Sequence, residues 1–190
     1  MQHEEEYLNY QSYQSVDTPF YPNPQQDILA SLPYLAQWCR DQYGSRNLQN
    51  TLETADDQLR GRIFEAIACR MGELVYDKFG NYVVQKLIEV GSSREKQAIY
   101  ELVRKDMLFI SLHSYGCRVV QKVVEWAGRE KPMQLEIMAQ LQPHLLQIVM
   151  NQNGNHIVQR VLELFTHAAT QPIAAVIAQH VSLPPHSFTN

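Results

Sequence analysis

Gly80-Asn81-Tyr82-Val83-Val84-Gln85-Lys86-Leu87 decides the fold, because close copies of it recur along the chain. The copies are Gly44-Ser45-Arg46-Asn47-Leu48-Gln49, Gly116-Cys117-Arg118-Val119-Val120-Gln121-Lys122 and Gly154-Asn155-His156-Ile157-Val158-Gln159-Arg160. Their glycines stand 36, 36 and 38 residues apart, a period that marks a solenoid of stacked supersecondary units. Wound as a helix, the second copy places positions 81, 82 and 85 on one face and Val83, Val84, Leu87 and Ile88 on the other. A polar triplet therefore recurs over an apolar backing, and the repeats hold something out in a row.

Working outward, each period reads as three helices: a short one at Glu73 to Lys78, the motif helix at 81–90, and a third at Ser93 to Lys105. Gly91 acts as a stop, and Ser92 with Glu95 forms a capping box. The next period repeats the plan with Leu108 to Ser114, the motif helix at 117–127 and a helix entered through Pro132. Its two extra residues are assigned to the Gly128 to Lys131 loop, where insertions leave the stack undisturbed. The fourth runs through Pro143 to Asn151, the motif helix at 155–165, and Thr170 to His180. The first motif helix covers 45–52, preceded by a capping helix from Asp27 that Pro33 bends or restarts. Residues 1–26 are rich in Gln, Tyr and Pro and read as a disordered tail; residues 27–190 read as the repeat domain. A fifth repeat would place its glycine near Asn190, so Leu183 to Asn190 read as its unfinished first helix and the chain as a truncated array. Ile173, Val176, Ile177 and Val181 would then lack a covering repeat.

The fold class is thus all-α: a right-handed α-solenoid of about four three-helix repeats. A net charge of −4 over 190 residues argues against a protein that holds nucleic acid mainly through phosphates. Three cysteines in no metal-type or paired spacing suit a reducing, cytoplasmic setting, and no apolar run approaches a membrane span.

Catalytic chemistry has one candidate, His113 with Cys117 at helical spacing, and no phosphate loop, zinc pattern or nucleophile elbow accompanies it. The chain reads as a non-enzyme that needs no cofactor or metal. The triplets carry more. Ser45/Arg46/Gln49, Asn81/Tyr82/Gln85, Cys117/Arg118/Gln121 and Asn155/His156/Gln159 each set a flat middle side chain, suited to stacking on a base, between two residues suited to hydrogen bonding. A base plus an interleaved side chain is about 7 Å thick, near the spacing of helices packed about 8–10 Å apart. One nucleotide per repeat fits. Lys86, Lys122 and Arg160 beside the triplets suit either phosphates or ion pairs.

In these residues the chain resembles the Pumilio/PUF family of single-stranded RNA-binding proteins, and Asp41-to-Arg46, Asp77-to-Gln85, Tyr115-to-Lys122 and Asn151-to-Gln159 look like its first four repeats in order. One base read per repeat is a stated property of PUF repeats, so it is carried over from the family. The resemblance implies RNA lying antiparallel on the concave face, with Asn/Gln pairs favouring uracil and Ser/Gln or Cys/Gln pairs favouring adenine. The implied preference is 5′-UAUA-3′ and the implied role is post-transcriptional regulation through mRNA 3′ untranslated regions, with effector proteins as further partners. Two other readings remain: a helical-repeat scaffold for a protein segment, and binding of structured nucleic acid by shape. The Gln in register at 49, 85, 121 and 159 favours single strands over the scaffold.

Overall fold

The computed structural model describes residues 24–128 and 130–181, which form helices, 3₁₀ turns and short connections. Helix α1 (Pro24–Ser31) and a 3₁₀ turn (Leu32–Tyr34) lead into the first repeat, made of α2 (Leu35–Trp38), α3 (Gln42–Thr54) and α4 (Asp57–Ala68). The second comprises α5 (Met71–Leu74), α6 (Gly80–Val90) and α7 (Ser93–Val103). The third comprises α8 (Met107–Leu112), α9 (Gly116–Ala127) and α10 (Lys131–Leu141), and the fourth α11 (Leu145–Val149), α12 (Gly154–Leu164) and α13 (His167–Val181). The motif helices α3, α6, α9 and α12 pack side by side, so the array is an all-α solenoid.

Several boundaries differ from the sequence expectation. Helix α1 begins at Pro24, within the stretch read as tail, because proline at a first helical position forfeits no hydrogen bond. The rest of that stretch, 1–23, and Leu183 to Asn190 lie outside the described residues. Helix α3 starts at Gln42 and not near 45, because Asp41 caps it. The short first helices are briefer than expected: α5 ends at Leu74, where the chain turns towards the motif. As expected, the Ser92–Glu95 capping box is present. The two extra residues of the third repeat divide between helix and loop: α9 has 12 residues where α6 has 11, and three residues (128–130) replace two (91–92) in the linker.

A close backbone approach fixes how each motif helix meets the helix before it. A Cβ on Gly44 would stand 2.6 Å from the carbonyl oxygen of Trp38, and one on Gly154 would stand 2.6 Å from that of Ile148. On Gly80 it would lie 2.9 Å from Leu74 Cδ2, and on Gly116 2.9 Å from the Ile110 carbonyl oxygen. In each case the neighbour is six residues back; at Gly44, Gly116 and Gly154 it is a backbone oxygen that leaves room for hydrogen alone, and at Gly80 it is the methyl of buried Leu74, with the Leu74 carbonyl oxygen at 3.1 Å.

The residue three before each glycine closes the same junction. Asp41 Oδ1 accepts from the backbone N–H of Tyr43 and Gly44 at 2.9 and 2.8 Å. Asp77 Oδ1 accepts from Phe79 and Gly80 at 2.8 and 2.7 Å, and Asn151 Oδ1 from Asn153 and Gly154 at 2.8 and 3.0 Å. In the third repeat His113 Nδ1 does this work, accepting from Tyr115 and Gly116 at 3.2 Å each. Its proton therefore sits on Nε2. The ring also packs edge-on against Tyr76 of the preceding repeat, with centroids 5.0 Å apart.

Apolar burial between repeats supplies the stability, about 1.5–3 kcal/mol for each fully buried Val, Leu or Ile side chain. Val83, Val84, Leu87 and Ile88 are buried, as their helical face predicts. Eight residues after each glycine, Leu52, Ile88 and Val124 are buried, whereas their counterpart Leu162 is 50% exposed. On α13, Ile177 is 40% exposed and Val176 half-buried, but Ile173 is only 1% exposed, contrary to expectation. The reason is that α13 packs against α10, α11 and α12, and Ile173 joins their core. The side chain of Val181 lies outside those described.

Two outcomes follow from these junctions. Gly80→Ala should cost about 1–3 kcal/mol by overpacking, whereas Gly61→Ala should be neutral or stabilise by up to about 1 kcal/mol, since its Cβ would meet nothing closer than 3.8 Å within helix α4. Urea unfolding of both variants decides; equal stability of Gly80→Ala and the parent would remove the junction's role. By the same measurement His113→Ala should lose about 0.5–2 kcal/mol and His113→Asn should retain most of it, as a cap requires. An asparagine variant as unstable as the alanine one would refute the capping role.

Candidate nucleic-acid interface

Because α3, α6, α9 and α12 lie in parallel register, the four triplets form a row. Their middle members face outwards: Arg46, Tyr82 and His156 are exposed, and Arg118 is half-buried. The first members do not. Ser45, Asn81 and Cys117 are 2%, 0% and 4% exposed, and only Asn155 is half-buried. The glutamines become more accessible along the row, from buried Gln49 through half-buried Gln85 and Gln121 to exposed Gln159.

Burial of the first members has a local cause. Each follows a glycine junction, and the short polar side chains of Ser45, Asn81 and Cys117 satisfy a carbonyl of the preceding turn. Ser45 Oγ donates to the Gln42 carbonyl at 3.2 Å, and Cys117 Sγ to that of Ser114 at 3.5 Å. Asn81 Nδ2 donates to the carbonyls of Asp77 and Lys78, both at 2.9 Å. The sequence reading missed this second task. Its signal was available, since Ser, Asn and Cys share a short stem and a donor.

The glutamines fold back onto these residues. Gln85 Nε2 donates to Asn81 Oδ1 at 2.8 Å, so the Asn81 amide oxygen fixes which end of the Gln85 amide faces which way. Gln49 and Gln121 donate instead to the backbone carbonyls of Ser45 and Cys117, at 3.1 and 3.3 Å. Asn155 Oδ1 is buried with no hydrogen-bond partner, while Gln159 points outwards. Gln159, Gln121, His156, Arg160 and Glu163 line a cavity of about 120 Å³ between α9 and α12. Gln85 keeps Oε1 and one N–H free of the Asn81 contact, an acceptor and a donor side by side on the groove surface.

The His113/Cys117 pair holds no reactive arrangement. The imidazole nitrogen that could activate a thiol accepts from the backbone, and burial raises the Cys117 thiol above its ordinary value, so it stays protonated. Among the described residues no three His, Cys, Asp or Glu side chains gather where they could hold a metal ion, and no helix is long and apolar enough to cross a membrane. Lys86, Lys122 and Arg160, which the sequence left open, form ion pairs: Lys86 with Glu53 and Glu89, Lys122 with Glu125, and Arg160 with Glu125 and Glu163.

The sequence profile described as "Pumilio-family RNA binding repeat" matches residues 34–68, 70–103, 107–131 and 144–178, each span containing one glycine junction and one triplet. No curated protein matches the chain. Among solved structures it is similar to the Puf3 RNA binding domain bound to a Cox17 RNA 3′ UTR recognition sequence, with 29% identity and a TM-score of 0.77 over 95% of this chain and 47% of that one. It is also similar to PUF-8 in complex with PBE-RNA (26% identity, TM-score 0.73, covering 94% of this chain and 49% of that one). A third match is the RNA-binding domain of yeast Puf5p bound to MFA2 RNA (26% identity, TM-score 0.70, covering 80% and 44%). The chain thus spans about half the length of the Puf domains it matches. Four matched repeats covering most of the described residues, each built on the same glycine junction, place this chain in the Pumilio family of RNA-binding repeat proteins.

Proposed function

We propose that the chain binds single-stranded RNA along the row of motif helices, one base per repeat, with a preference for 5′-UAUA-3′. The observation that carries this reading is the row itself: exposed flat side chains at Arg46, Tyr82 and His156, and half-buried Arg118, each followed three residues on by a glutamine, buried at Gln49 and reaching the surface at Gln85, Gln121 and Gln159. Bases stack between the flat side chains, at about 1–3 kcal/mol per base, and the glutamines meet their pairing edges. Uracil offers an acceptor at O4 beside a donor at N3–H, which the free N–H and Oε1 of Gln85 match when the Asn81 oxygen holds the amide in that sense. In the first and third repeats the glutamine rests on a backbone carbonyl, and Ser45 or Cys117 leaves space for adenine. The order from the fourth repeat to the first follows the antiparallel arrangement implied by the family. Presentation of bound mRNA to effector proteins in the cytoplasm, for post-transcriptional regulation, belongs to the same proposal and rests on the family alone.

A fluorescence titration should show a UAUA-containing oligonucleotide binding more tightly than a GCGC-containing one. Equal binding would overturn the base preference, and binding of neither would favour a scaffold for protein segments.

The double variant Asn81→Ser, Gln85→Glu tests the mechanism at one repeat. A carboxylate accepts but cannot donate, so it rejects uracil O4 and takes the N1–H and N2–H donors of guanine, while serine makes room for the larger ring. The variant should prefer guanine over uracil at that position by about 1–3 kcal/mol, with the other three preferences unchanged. Uniform weakening towards all oligonucleotides would refute modular reading.

A further inference from the structure

We infer that the uncovered end of the fourth repeat docks a second copy of this chain, with α12 and α13 of one copy packing against α12 and α13 of the other about a two-fold axis. The contact goes beyond the strand-binding reading above and does not depend on it.

The inference starts from positions that each repeat buries with the help of the next. The eighth and eleventh residues of the third helices are Phe64 and Ile67 in α4, Tyr100 and Val103 in α7, Met138 and Leu141 in α10, and Ala174 and Ile177 in α13. The first six are buried or half-buried. Tyr100 shows how: its hydroxyl donates to Glu136 Oε2 at 3.3 Å, and its ring lies edge-on to Trp126 with centroids 6.4 Å apart. Both partners belong to the following repeat, one on its third helix and one on its motif helix. In the fourth repeat Ala174 and Ile177 are exposed, as is Leu162, the eighth residue after Gly154. These three border an open groove of about 490 Å³ whose walls also include His167, Thr170 and Ala178. Apolar surface of this kind at the end of a stack is built to receive helices.

Three features point to the same face of another copy as the occupant. Residues 164–181 contain no Asp, Glu, Lys or Arg, although 19% of the chain is charged and the corresponding helix α7 carries Arg94, Glu95, Lys96 and Glu101. A two-fold contact sets each surface against itself, so any formal charge would meet its own kind, and α13 has none to repel. The face is also self-complementary: Ala174 and Ala178, one helical turn apart, are small, while Leu162 and Ile177 beside them are the apolar side chains that fill such a groove. The opposite end of the array is closed, because α1 packs against α3 and Ile28 is buried there. The contact is therefore tail to tail and closes at two copies. A two-fold axis reverses one row of motif helices relative to the other. Under the strand-binding reading the pair would hold two strands running in opposite directions, and not one strand on a longer row.

Sedimentation equilibrium of the full chain without RNA tests the contact, so its outcome is separate from that of the oligonucleotide titrations. Between about 1 µM and about 1 mM, the range of weak and transient contacts, the mass should rise from 22.0 kDa to twice that and go no further. Ala174→Glu or Leu162→Glu sets a carboxylate against the apolar face of the second copy and should weaken association about tenfold or more. Helix content by circular dichroism should not change, because both sites are exposed. Tyr34→Glu, exposed in the first repeat, should associate like the parent. A parent that stays at 22.0 kDa overturns the inference and leaves the face to residues 182–190 or to a different protein. A mass that climbs past two copies, a folded Ala174→Glu that dimerises like the parent, or a Tyr34→Glu that does not, overturns it as well. Should both glutamate variants at the groove fail to fold, amide exchange in the parent decides. Protection across α13 should rise as the mass doubles, and unchanged exchange there overturns the docking face.

Discussion

The contact on which the array depends is the approach of a glycine Cα to the backbone and side chain six residues earlier, made at Gly44, Gly80, Gly116 and Gly154. Hydrogen at that point lets the short first helix and the motif helix of each repeat close at a fixed distance, and the acceptor three residues before the glycine caps the start of the motif helix. The pitch of the groove follows. The spacing between Tyr82 and its neighbours in the row is a product of packing between Leu48, Val84, Val120 and Val158, which are buried only when the junctions bring successive helices into register.

Position by position, reading and folding are less separable than a modular code suggests. Asn81 is wholly buried, ties two carbonyls of the turn before it and orients Gln85, so under the proposed reading its effect on a base would pass through the glutamine as well as through any direct contact. The side chains at this place are short and donate to the turn, and Asn81 in addition sets the glutamine amide. Ser45 and Cys117 leave the glutamine on a backbone carbonyl. The difference between repeats therefore lies in how an amide is held as much as in the size of the space beside it.

Much of this was legible in the sequence. Glycine is irreplaceable at a close approach and glutamine recurs in register, so the period, the helix faces and the triplets could be read directly. The cap was not, because Asp41, Asp77, His113 and Asn151 differ in type while sharing only an acceptor atom at the right distance. His113 was consequently weighed as a reactive residue beside Cys117 when its nitrogen serves the backbone. The burial of Asn81 and Cys117 escaped for a related reason: helical periodicity assigns a face, but the depth of that face depends on the neighbouring turn. The ion pairs of Lys86 and Arg160 required the stacking of successive helices, and the burial of Ile173 required the docking of α13 on three others, neither of which a single repeat contains.

The longer third repeat carries a consequence for exchange of repeats between arrays. In the second repeat the third helix is closed locally, by Ser92 and Glu95. In the third, buried Gln134 donates to the Gly128 carbonyl at 2.9 Å in the longer linker and accepts from Thr166 of the fourth repeat, at 3.0 Å from its N–H and 3.2 Å from its hydroxyl. One amide thereby holds both the insertion and the start of α13. A 36-residue unit cut at the second repeat leaves its own cap intact, whereas a cut between the third and fourth divides a buried hydrogen-bond network and strands polar atoms on both sides. For engineered recombination of such arrays, the last two repeats of this chain form a single cassette.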